Sequence, residues 1–271
     1  MTFTIRKIPP SSFWNLQHIL RDYLLLSPSK KLYSLNQLSR VNHEEVYIKT
    51  FDGETLHGYL LIANKHSDKV AIFFHGNDFN VSKWYSAPLR IQEKIPINFL
   101  IADYRGYGKS TGSPTFQGIV LDAFAMYDYL IKNRGYKPED ISLYGRSMGG
   151  APALELARKV KTGPVVIQSS FTTFTELAHY HFPLIPNFVV KNDLFNLKDL
   201  IKKINVPVLI SHGSADRMAP VKWAYELYDA ANEPKKLIIL NGAGHNSLTQ
   251  YFTDEYYDTL RELFLSSKLS S

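Results

Sequence analysis

From residue 69 onward, short apolar runs alternate with amphipathic stretches five or six times. Lys69 to Phe74, Ile97 to Ala102, the stretch around Ile141 and Leu143, Pro164 to Gln168, Val206 to Ser211 and Lys236 to Leu240 read as strands. Between and after them, Ser82 to Lys94, Phe116 to Asn133, the stretch following Gly149, Pro220 to Ala231 and Leu248 to Leu265 read as helices, with Ser82 as the first N-cap. This alternation demands an α/β architecture: a mostly parallel sheet with helices on both faces. Runs such as Val70-Ala71-Ile72-Phe73-Phe74 suit strands buried on both sides. Upstream, Glu45 to Lys49 and Leu56 to Ile62 form a hairpin through Asp52-Gly53.

A chain of 271 residues is long enough for one large domain of this kind. The expected division is an N-terminal helical extension over residues 1–43 and a main domain over 44–271. In the extension, Phe13, Leu16, Leu20, Tyr23 and Leu24 recur at helical spacing, and Ser27-Pro28 ends the run. Arg21 and Asp22 interrupt its apolar face, so it is expected to cover an edge of the main domain rather than lie in a bilayer. The alternation breaks at about residues 169–204, where aromatic residues surround Pro183 and Pro186. Those prolines forbid one long helix, and the segment reads as a small lid inserted over the strand ends.

Composition removes several function classes. The chain has no cysteine, which excludes disulfides, thiolate metal sites and a cysteine nucleophile. Its net charge of +6 is compatible with weak contact at an anionic membrane surface, but the basic residues are scattered, and nucleic-acid binding is not expected. No run of 18 apolar residues and no signal-peptide pattern occurs, so a cytoplasmic protein is expected. The loop Asp103-Tyr104-Arg105-Gly106-Tyr107-Gly108-Lys109-Ser110 is glycine-rich without being a phosphate loop. A Walker A loop needs glycine where Asp103 stands, and a dinucleotide fingerprint needs glycine where Thr111 stands. His179 and His181 have no third ligand, so neither a metal nor a cofactor is expected.

The chemistry centres on Gly145-Arg146-Ser147-Met148-Gly149, a Gly-x-Ser-x-Gly motif between a strand and a helix. A serine on such a turn is held in a strained backbone with its hydroxyl exposed, and small neighbours make the room. A serine hydroxyl needs a base, and the base needs an orienting acid. His245, in the small-residue loop after the last strand, is the candidate base, and Asp216, after the preceding strand in the order Ser–Asp–His, is the candidate acid. Negative charge developing on a substrate carbonyl calls for two backbone donors. Met148 and Asn77 are the candidates, with Asp78 as the alternative to Asn77. His75 and His212, each before a glycine at a strand end, are read as turn-shaping residues.

At this point the chain resembles the α/β-hydrolase superfamily, and more narrowly the Bem46-like serine hydrolases, the group holding the α/β-hydrolase domain-containing proteins 13 and 17. The resemblance covers roughly residues 45–265. It rests on His75-Gly76-Asn77, the 103–110 loop, Gly145 to Gly150, His212-Gly213-Ser214-Ala215-Asp216 with Pro220, and Gly242-Ala243-Gly244-His245-Asn246. It implies an α/β-hydrolase fold with a small lid and a cofactor-free serine hydrolase with Ser147, Asp216 and His245 as its triad. The implied substrate is an acyl-chain or other small-molecule ester or thioester. Asp78 stands where the family more often has a small neutral residue. Residues 1–43 hold neither the membrane helix nor the cysteine-rich anchor of many relatives, so an enzyme free in solution is expected. Two alternatives stay open: a serine peptidase of the same fold, and a non-catalytic binding protein on the same scaffold.

Overall fold

The computed structural model describes residue 22 and residues 25–36, 38–63, 66–190 and 195–269. The helix expected at Phe13, Leu16, Leu20, Tyr23 and Leu24 lies outside them.

Among the described residues eight strands form one sheet: β1 (His43–Lys49), β2 (Thr55–Leu61), β3 (Val70–Phe74), β4 (Asn98–Ala102), β5 (Ile141–Arg146), β6 (Val165–Gln168), β7 (Val208–Gly213) and β8 (Lys235–Leu240). Their spatial order is β1-β2-β4-β3-β5-β6-β7-β8. β2 pairs antiparallel with β1 and β4, and every other pairing is parallel. The helices are α1 (Val81–Trp84), α2 (Ser86–Gln92), α3 (Phe116–Lys132), α4 (Gly150–Ala157), α5 (Phe174–His181), α6 (Asn187–Val190), α7 (Leu197–Ile201), α8 (Lys222–Ala230) and α9 (Asp254–Ser266).

The period-two geometry of the central strands feeds two cores. Val70, Ile72 and Phe74 of β3 and Leu100 of β4 pack into one layer with Met126 of α3, Leu154 of α4, Leu200 of α7 and Leu227 of α8. Ala71, Phe73, Phe99 and Ile101 enter the other with Leu89 of α2 and Leu260 and Phe264 of α9. The expected doubly covered parallel sheet is therefore the observed one.

Two boundaries differ from expectation. The helix after β3 begins one residue earlier, at Val81, because Asn80 rather than Ser82 is the N-cap, its side chain accepting the Ser82 N–H, and the helix breaks at Tyr85 into α1 and α2. The closing helix starts at Asp254, where Thr253 caps it. Leu248–Tyr251 forms a separate 3-10 turn. Between β6 and β7 lie α5, α6 and α7, in place of one continuous helix. Phe182–Pro186 separates α5 from α6, as its prolines require.

Candidate active site

Strands β3, β5, β7 and β8 are mutually parallel, so the loops at their carboxyl ends open on one rim. Those loops carry Asn77, Ser147, Asp216 and His245 in turn.

Ser147 opens the 3-10 turn Ser147–Gly149 that joins β5 to α4. Its φ is +54°, in the left-handed region that side-chain-bearing residues rarely adopt. Such a residue costs on the order of 1–3 kcal/mol and persists only where its surroundings fix it. Here a Cβ on Gly149 would drive into the Phe74 carbonyl of β3, and one on Gly145 into the Gly149 carbonyl. The Ser170 hydroxyl, from the loop after β6, donates to the Ser147 carbonyl at 2.7 Å.

Asp216 Oδ2 lies 2.7 Å from His245 Nδ1, and Oδ1 accepts the N–H groups of Met218 and Ala219 at 2.9 Å each. His212 Nε2 stands 3.4 Å from Oδ2 and 2.7 Å from the Ala219 carbonyl, so this histidine shapes the turn that aims Asp216. Burial pushes the Asp216 carboxyl up, but the hydrogen bonds from His212 and His245 outweigh it and hold the group well below the usual carboxylate range. With the carboxylate ionised, the proton between the two groups sits on His245 Nδ1, the tautomer whose neutral ring has Nε2 as its acceptor. Ser147 and His245 line the same pocket.

Asn77 and Met148 line it too. The Asn77 side chain is committed elsewhere: its Nδ2 donates to the Leu25 carbonyl, and its Oδ1 accepts the Ser27 N–H and the Tyr107 hydroxyl. Among the described residues neither Asn77 nor Asp78 spends its own backbone N–H on another group. His75 is buried, its Nδ1 donates to the Gly76 carbonyl at 2.7 Å, and burial lowers its pKa, so it packs as a neutral turn residue.

The pocket encloses about 160 Å³. It is lined by Phe171, Phe174, Leu177 and Phe182 from the segment between β6 and β7, and by Leu25, Phe79 and Trp84. Among the described residues no group of three or more His, Asp or Glu could hold a metal ion, and no helix is long and apolar enough to cross a membrane.

Several contributors escaped the sequence. Arg146, an unconstrained position of the motif, is buried; its Nη2 donates to the His245 carbonyl at 2.8 Å, and its guanidinium carbon lies 5.1 Å over the Trp84 ring. It thus ties the histidine loop to the serine turn. Ser170 and Leu25 gave no signal, since a lone serine and a leucine outside any motif are silent until folded.

The family described as serine aminopeptidase, S33, matches residues 65–179. The human α/β-hydrolase domain-containing protein 17B is 30% identical over 204 residues, which cover 73% of this chain and 66% of that protein. The match therefore spans just under two thirds of that relative's length. An uncharacterized protein of Mycobacterium tuberculosis is 30% identical over 203 residues, covering 74% of this chain and 72% of its own. Among solved structures, a Pyrococcus furiosus esterase superposes with a TM-score of 0.73 at 23% identity, over 90% of this chain and 98% of that one.

Proposed function

We infer the reaction from one premise: the chain belongs to the α/β-hydrolase superfamily, in its α/β-hydrolase domain-containing group. The protein is a serine hydrolase that cleaves acyl esters or thioesters through an acyl-Ser147 intermediate. The observation that carries this reading is a strained serine at φ +54° lining one pocket with a histidine whose Nδ1 is held 2.7 Å from a buried carboxylate.

In this mechanism Ser147 Oγ attacks the substrate carbonyl while His245 Nε2 takes its proton, and Asp216 stabilises the imidazolium that forms. The backbone N–H groups of Met148 and Asn77 meet the negative oxygen, each worth about 3 kcal/mol of barrier lowering. The leaving alcohol or thiol departs with the proton from His245. Water then enters, loses its proton to the same nitrogen, and releases the acid from Ser147. The apolar wall from the inserted segment supports an acyl chain as the bound group. A cavity of this size compares with one that holds benzene, so acyl groups of about four to six carbons fit it best.

The test is fluorophosphonate labelling of wild type and Ser147→Ala, beside hydrolysis of p-nitrophenyl esters of graded chain length. We expect label on wild type alone, a loss of turnover on the order of a millionfold in the variant, and an optimum between butyrate and hexanoate. A folded wild type that takes no label overturns the reading and leaves a binding protein on this scaffold.

A further inference from the structure

Asp78 follows the proposed oxyanion donor and is exposed at the mouth of the pocket. Among the described lining residues it is the sole carboxylate, and none is a lysine or arginine. No ion pair joins it to a described residue, whereas the exposed carboxylates Asp52 and Glu45 each have one. Its backbone is also held in place. The Trp84 indole N–H donates to the Asp78 carbonyl at 2.7 Å, and the next residue, Phe79, takes φ +64°. A phenylalanine in that region is strained and needs surroundings that hold it there. Asn77 and Asn80, on either side, are anchored by side-chain hydrogen bonds to residues 25–31. The rings of Phe79 and Phe182 line the same mouth and are partly exposed. A carboxylate on a held backbone, lining a pocket with exposed aromatic rings, attracts a cation by charge, and ring faces add to that attraction.

We propose that Asp78 makes this a binding site for an ammonium group, so that the preferred substrates are short acyl esters or thioesters carrying a positive charge close to the scissile bond. This rests on the serine hydrolase reading above and narrows its substrate class. The same feature disfavours anionic leaving groups, since the described lining of the pocket offers a phosphate or carboxylate one carboxylate and no lysine or arginine.

The ammonium can reside on the leaving group or on the acyl group, and two substrate pairs separate these cases. The first is butyrylthiocholine against its uncharged carbon isostere, in which tert-butyl replaces trimethylammonium. The second is the p-nitrophenyl ester of alanine against that of propionic acid. The readout is the charged-to-neutral ratio of kcat/KM in wild type divided by that ratio in Asp78→Asn, which cancels intrinsic reactivity and any shared change in catalysis. An ion pair at about 4 Å in water-like surroundings gives roughly a fivefold effect, so a double ratio near five is expected in at least one pair. It should fall towards one in about 1 M salt, where screening shortens to about 3 Å, and Asp78→Glu should keep most of it. Double ratios of one in both pairs overturn the proposal while leaving the hydrolase reading intact. Failure of wild type to cleave either neutral substrate or either charged one overturns both.

Discussion

Asp216 is ionised because the protein supplies its donors before any substrate arrives. Two backbone N–H groups and His245 hold its oxygens, and His212 stands behind. Its folded-state pKa is therefore depressed against an unfolded value of about 4. A carboxyl shifted in this direction contributes stability that is fully present above the unfolded value and is lost as pH falls towards the folded one. Replacing Asp216 by Asn removes that contribution and also presents the wrong tautomer to His245. Urea midpoints measured at pH 7 and pH 3 should show wild type losing more stability on acidification than Asp216→Asn. Turnover of the variant at pH 7 should fall on the order of ten-thousandfold. Equal acid losses in the two proteins would mean that Asp216 gains nothing from folding.

The element that sets the site is the β5–turn–α4 unit, and its tolerance is set by backbone atoms. The Gly149 position faces the Phe74 carbonyl of the neighbouring strand, which is paired within the sheet and cannot step aside. Gly149→Ala should therefore destabilise the fold by about 1–3 kcal/mol, as overpacking does, and lower the melting temperature by several degrees. Fluorophosphonate labelling should fall further than the folded fraction does, because the displaced turn carries Ser147. This unit was readable in the sequence, since the motif, the apolar strand before it and the small residues after it all report local geometry. The same holds for β3 to β7, whose apolar runs are long enough to mark strands buried on both faces. Boundaries were less readable where two chemically similar choices compete. Asn80 and Ser82 can both cap a helix, and the fold selects Asn80, whose amide also donates to the Ser29 and Lys31 carbonyls.

At the scale of the whole molecule, the site is bordered by a segment that no motif announces. Residues 25–33 cross the rim and are held by Asn77, Asn80, Gly108 and Ser82. Leu25 of that segment lines the pocket. Ser147, Asp216 and His245 could be named as candidates from sequence because each follows a strand end, in the chain order that this fold uses. The strap could not, because its contacts are backbone carbonyls and amides meeting side chains about fifty positions away. Such pairings carry no periodicity and no preferred residue on the backbone side. The consequence is testable at Asn80, which is buried and joins the strap to the α1 cap. Asn80→Ala removes both donors to Ser29 and Lys31 together with the cap, a loss of about 1–2 kcal/mol from the cap alone. Amide exchange should quicken at Gly108 and Ser27, whose N–H groups bond to the Ser29 carbonyl and the Asn77 side chain. Because Leu25 forms a pocket wall and Asn77 is held through Leu25 and Ser27, esters near the length optimum should lose more kcat/KM than acetate esters, which leave that wall untouched. An equal loss at every chain length, with exchange at Ser27 unchanged, would make the strap a structural tie with no part in shaping the pocket.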